Sequence, residues 1–93
     1  NRLVGFLVWQ ETDFEAEVLQ IAVFPSYQGQ KIATALFDFL PADKEIFLEV
    51  GESNRPALLF YKKEKFEEIA RRKAYYHAPV EDAIVMKRED HER

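Results

Sequence analysis

An apolar run that breaks at Pro25 and continues at once into Tyr27, Gln28, Gly29, Gln30, Lys31, Ile32, Ala33 and Thr34 has the makings of an anion site. A helix that starts directly after a core strand aims several main-chain N–H groups, none with a partner inside the helix, at one spot. Gly29 and Ala33 would let a phosphate approach the main chain, and Thr34 adds a hydroxyl. An ordinary strand-to-helix turn has the same composition, so this segment alone leaves both readings open. Other candidate groups are thinner. His77 and His91 stand at no metal-ligand spacing, and with no Cys the chain has no disulfide, no thiolate zinc site and no cysteine nucleophile. Lys62, Lys63 and Lys65 form a cluster that suits either a solvated helix face or the steering of an anionic ligand.

Those residues need a scaffold, and the chain supplies one in alternating pieces. Residues 2–9 (RLVGFLVW) are dense in Val, Leu and Phe and precede a polar turn, which predicts a strand. Residues 15–24 (EAEVLQIAVF) alternate and then run apolar up to Pro25, a second strand antiparallel to the first by hairpin logic. Ile32, Leu36, Phe39 and Leu40 recur at helical spacing, predicting a helix over 30–40 with those residues inward. Residues 45–50 (EIFLEV) form a short strand, reached by a crossover that makes it parallel to its neighbour. Ser53 or Asn54 caps a second helix with Pro56 in its first turn and Ala57, Phe60 and Tyr61 on its apolar side. A strand over 66–77, a turn over 79–82, a last strand over 83–87 and a solvated tail complete the order β-β-α-β-α-β-β. That is an α/β plan, a mixed sheet with two helices, in a single domain over 1–93 with no internal repeat.

Composition narrows the function. At 47% hydrophobic and 14% aromatic residues the chain is globular. A net charge of −4 gives no basic footprint for nucleic acid, and a cationic partner suits it better. No apolar stretch is long enough to span a bilayer, and with no cysteines the cytoplasm is the default compartment.

Three blocks of sequence resemble one family. Ile21, Ala22, Val23, Pro25, the run 27–33 and Ala35-Leu36 look like the coenzyme A motif of the GNAT N-acetyltransferase superfamily, Gln/Arg-x-x-Gly-x-Gly/Ala, with Lys31 where a central Gly is usual. Residues 48–61 (LEVGESNRPALLFY) are similar to its Leu-Glu-Val-Arg-x-Ser-Asn-x-x-Ala-x-x-x-Tyr signature, with Gly51 in place of Arg. Lys65 replaces a Gly that commonly precedes Phe66, so the second helix is expected to lack a left-handed cap. Residues 71–76 (RRKAYY) and 81–86 (EDAIVM) resemble the ribosomal-protein-alanine subgroup in particular. The family's first strand, two helices and next strand have no counterpart, so the chain reads as an N-terminally shortened GNAT-like fold.

The resemblance implies acetyl transfer from acetyl-coenzyme A to an amine, with a protein N-terminal α-amine as the candidate acceptor and no metal. It places the pantetheine between two parallel strands, against the main chain of Ile21, Ala22 and Val23, and the pyrophosphate at Gly29, Gln30, Lys31, Ile32, Ala33 and Thr34. It makes Glu49 the general base and Tyr61 the general acid for the departing thiolate. Glu49 as a solvated strand residue and Tyr61 as a half-buried core aromatic remain the plain alternatives, and Asn54 suits cap and cofactor contact alike. At most one of the adjacent Tyr75 and Tyr76 can face an acceptor channel. A degenerate fold that binds acyl-coenzyme A or a protein without turnover is the competing function, and an open sheet edge at residues 2–9 makes a homodimer the expected assembly if two copies pair.

Overall fold

A computed structural model describes residues 4–29, 31–77 and 80–89. Two antiparallel strands come first, β1 (Gly5–Glu11) and β2 (Glu15–Val23), joined where Thr12 N–H donates to Glu15 O at 2.8 Å. A 3₁₀ turn (Pro25–Tyr27) leads to helix α1 (Ile32–Phe37), strand β3 (Glu45–Gly51), helix α2 (Arg55–Lys63) and the pair β4 (Glu67–His77) and β5 (Val80–Arg88). The sheet order is β1-β2-β3-β5-β4, with β2 and β3 parallel and every other pair antiparallel. The expected element order and mixed sheet are therefore present. No helix among the described residues is long and apolar enough to cross a membrane.

Both crossovers step in the same direction across the sheet, which puts both helices on one face. There Phe37 of α1 meets Phe60 of α2 at 5.3 Å between ring centroids and Tyr61 at 6.0 Å. Beneath them Ala16, Val18, Ile46, Leu48, Val50, Ile84 and Met86 supply the floor of the core, with Leu40 and Phe66 at its margins. β3 alternates buried and half-buried residues along its length, so Leu48 and Val50 enter the core while Phe47 and Glu49 face the other side of the sheet, away from α1 and α2.

Four local expectations need correcting. α1 is six residues long rather than running over 30–40. Past Phe37 the chain tightens into i→i+3 bonds, Phe39 N–H to Leu36 O and Leu40 N–H to Phe37 O, which turns Phe39 outward, 73% exposed, and makes Phe37 the buried ring. Second, Val80, Glu81 and Asp82, expected in a turn over 79–82, belong to β5, and Pro79 lies outside the described residues. Third, Phe66 precedes β4 rather than opening it. Fourth, α2 does not lack its left-handed cap. Lys65 itself adopts φ 77°, its N–H donates to Lys62 O, and Phe66 N–H donates to Tyr61 O at 2.9 Å, the paired bonds of a Schellman ending. The Tyr61 and Phe66 rings, 6.1 Å apart, make the apolar contact that goes with it. Residues 2 and 3 of the expected first strand, Gln30, and the tail from 90 onward lie outside the described residues.

Candidate functional site

β2 and β3 separate after three paired positions, Glu15 with Glu45, Ala16 with Ile46 and Glu17 with Phe47. The cause lies in β2. Val8 of β1 faces Gln20 and Trp9 faces Val18, so Leu19 is an extra residue with no partner across the ladder. A bulge bends its strand and sharpens the local twist, carrying the end of β2 away from β3. The cleft between them is lined by Leu19, Gln20 and Ile21 on one side, by Glu49, Val50 and Gly51 on the other, and by Asn54 and Tyr61 at α2.

This cleft joins two larger grooves through shared residues. On the helix side, Ile21, Asn54 and Tyr61 also line a groove of ≈ 680 Å³ with Ala22, Val23, Gly29, Lys31, Ile32, Ala33, Thr34 and Lys63. On the opposite side, Leu48 and Glu49 also line a groove of ≈ 600 Å³ with Glu15, Glu17, Phe47, Arg72 and Val85. A ligand on the helix side and one on the open face would thus meet between β2 and β3, with Tyr61 on the first wall and Glu49 on the second.

Glu49 reaches the open face because Leu48 and Val50, 2% and 6% exposed, hold β3 against the core. Its Oε2 lies 2.8 Å from Arg72 Nε. Tyr61 is 8% exposed and lies stacked on Phe37, 9° between ring planes. Burial pushes its phenol above the ordinary tyrosine range, so at neutral pH it holds a proton and can donate it. Asn54 caps α2, its Oδ1 accepting from Ala57 N–H at 3.3 Å, which leaves the side-chain NH₂ for a ligand in either cavity.

The approach to α1 is built for a close main-chain contact. Gly29 sits at φ 84°, and among the described residues beyond its chain neighbours no atom lies within 4 Å of where a Cβ would be. Lys31 is the N-cap residue at φ 62°, with no side-chain cap bond, and the first helical bond runs from Ala35 N–H to Lys31 O. The N–H groups of Ile32, Ala33 and Thr34 accordingly have no partner within the helix. Gln28 Nε2 donates to Val23 O at 3.0 Å, tying the 3₁₀ turn back to β2. Thr34 gives its hydroxyl proton to Glu64 Oε2 at 3.0 Å, so its side chain braces α1 against the end of α2.

The acetyltransferase (GNAT) domain model matches residues 1–68. The chain belongs to the GNAT acetyltransferase family. It is similar to the [ribosomal protein bS18]-alanine N-acetyltransferase of Haemophilus influenzae, 37% identical over 92% of this chain and 64% of that protein. Its fold superposes on the ribosomal-protein-S18-alanine N-acetyltransferase of Escherichia coli with a TM-score of 0.85 and 32% identity, covering 97% of this chain and 63% of that one. A GNAT family acetyltransferase of Elizabethkingia anophelis, solved with acetyl-CoA bound, gives 0.83 and 26% over 96% of this chain and 70% of that one. The chain spans less than two thirds of the length of the ribosomal-protein acetyltransferases it matches.

For a GNAT domain, the departures at Lys31, Gly51 and Lys65 now have physical readings. Lys31 and Lys65 both occupy left-handed backbone that favours glycine, a conformation that costs a side-chain-bearing residue about 1–2 kcal/mol. At Gly51 a Cβ would come 2.8 Å from Glu81 Oε2, and Glu81 Oε1 accepts from Ser53 N–H at 2.9 Å, so a carboxylate from β5 holds the turn that precedes Asn54. The basic cluster divides its labour. Lys63 lines the helix-side groove, Lys62 lies 3.8 Å from Glu68, and Lys65 forms the cap. The groove-lining role of Lys63 was legible in principle, since Pro56, Phe60 and Lys63 repeat along one face of α2. Arg72 was not, because β5 lies between its strand and Glu49.

Proposed function

We propose that the chain transfers an acetyl group from acetyl-coenzyme A to a primary amine, the α-amine of a protein N-terminus in the manner that the names of its relatives describe. The observation that carries this reading is the gap between β2 and β3, where one cleft has Glu49 on one wall and Tyr61 on another. The helix-side groove suits the cosubstrate in its donor set. Lys31 and Lys63, with the N–H groups of Ile32, Ala33 and Thr34, match a diphosphate, and the separated edges of β2 and β3 present main-chain groups to an amide-bearing arm.

Acetyl-coenzyme A would supply an acetyl group on a thioester, already activated toward an amine. Glu49 takes a proton from the acceptor ammonium, directly or through water, and exposes the nitrogen lone pair. An α-amine of pKa about 8 asks little of that base. The neutral nitrogen attacks the acetyl carbon, a C–N bond forms, the C–S bond breaks, and the nitrogen gives up its second proton to solvent. Tyr61 Oη gives its proton to the departing sulfur, and a buried phenol with a raised pKa is well placed to keep that proton until it is needed. Among the described residues β1 is an edge strand; two copies would pair along it, and elution volume against concentration in gel filtration decides it.

Calorimetric titration of acetyl-coenzyme A into the chain tests the site. Saturable binding in the micromolar range, about that of a typical substrate, is expected. No binding at millimolar cosubstrate would refute the assignment of the groove.

A further inference from the structure

The contact between Glu49 and Arg72 is left unused by the chemistry above. Arg72 sits two strands away from Glu49 and reaches it over β5, where it is in register with Ala83, a residue that offers only a methyl group. The guanidinium is itself seated, its Cζ 5.3 Å from the centroid of the Tyr75 ring. Tyr75 stands in an irregular part of β4, where the step from Arg72 to Tyr76 is matched on β5 by the shorter step from Ala83 to Glu81. Ala74, in that bulge, is at φ 49° and donates its N–H to Asp82 Oδ1 at 2.8 Å, while Asp82 Oδ2 accepts from Arg71 at 3.0 Å. Asp82 thus shapes the bulge, the bulge places Tyr75, and Tyr75 supports the cation that meets Glu49.

We propose that Arg72 is a positioning residue for the reaction: seated on Tyr75, it holds Glu49 through Oε2 so that Oε1 is presented to the acceptor ammonium at the mouth of the cleft. The inference rests on the reading of Glu49 as the base. An exposed ion pair of this kind contributes little to stability, so its effect belongs to the geometry of the carboxylate. Arg72 also competes with the ammonium for that carboxylate, so removing it does not weaken acceptor binding. The planar guanidinium stacks on an aromatic ring as a lysine ammonium does not, which makes the two cations unequal here.

Steady-state kinetics with acetyl-coenzyme A and a peptide bearing a free N-terminal alanine, followed by thiol release, test this. Arg72→Ala is expected to lower kcat on the order of tenfold, the scale of a misplaced catalytic group, with the KM values for peptide and acetyl-coenzyme A not raised. Arg72→Lys recovers part of the loss, Tyr75→Leu falls between wild type and Arg72→Ala, and thermal midpoints stay together because both side chains are exposed. A kcat for Arg72→Ala within twofold of wild type, or a loss carried by KM, overturns the proposal. The parallel Glu49→Gln variant separates the two ideas. Loss of rate there with none in Arg72→Ala removes only the role of Arg72, whereas an unimpaired Glu49→Gln removes the base assignment and this inference with it.

Discussion

Replacing Lys31 with glycine and, separately, with alanine pulls apart the two things that Lys31 does. Its backbone at φ 62° costs a side-chain-bearing residue about 1–2 kcal/mol, and glycine escapes that cost but gives up roughly 0.5–1 kcal/mol more chain entropy on folding. The difference is a gain of about 0.5–1 kcal/mol for Lys31→Gly. For a domain of this size, at roughly 4–8 °C per kcal/mol, that raises the melting midpoint by about 4 °C. Lys31→Ala keeps the strain and leaves the midpoint where it was. Both variants lose the ammonium that lines the helix-side groove, so both weaken acetyl-coenzyme A by a similar factor, about two- to fivefold for an exposed charge contact. Differential scanning calorimetry and titration calorimetry on the three proteins read the two effects independently. A glycine variant no more stable than the alanine variant would refute the strain argument, and undiminished affinity in both would refute a phosphate contact by Lys31.

Further outcomes follow from the same geometry. Tyr61→Phe keeps the stacked ring on Phe37 and is expected to lower kcat by about 10²-fold with little change in stability near neutral pH, checked by initial rates and thermal melts. Because burial raises the folded phenol's pKa, the unfolded chain releases that proton first as pH rises. Wild type therefore loses stability relative to Tyr61→Phe once pH passes about 10, and urea melts across pH 8 to 11 on both proteins show it. Asn54→Ala removes the α2 cap and costs about 1 kcal/mol in chemical denaturation. Lys65→Gly relieves the left-handed C-terminal position of α2 and stabilises by about 0.5–1 kcal/mol, whereas Lys65→Ala does not.

The fold could be read from the sequence where patterns were local. Alternation in residues 15–18, the short apolar strand at 45–50, the stop at Pro25, and the Asn54 and Pro56 start of α2 all appear where the residue types place them. The misreadings came where short-range geometry overrode periodicity. Phe39 fits a helical face, but the tightening after Phe37 rotates it into solvent and brings Phe37 inward. Lys65 shows that a left-handed cap needs the conformation rather than the glycine, because the bonds it completes and the contact of Phe66 with Tyr61 offset its strain. At the site, the positions to which the family resemblance pointed, Ile21 to Val23, Gly29, Lys31 to Thr34 and Asn54, line one groove, while Gln30 lies outside the described residues. The bulge at Leu19 and the Arg72 contact depend on which strands become neighbours, and no local spacing carries that information.

The most direct test of the central claim is peptide-dependent thiol release from acetyl-coenzyme A, with mass analysis of the peptide, for the wild-type chain and Glu49→Gln side by side. An acetylated peptide N-terminus is expected from the wild type, and a rate lower by about 10²-fold or more from the variant. Binding of acetyl-coenzyme A with no amine-dependent release from the wild-type chain would contradict it and leave a cosubstrate-binding domain without turnover.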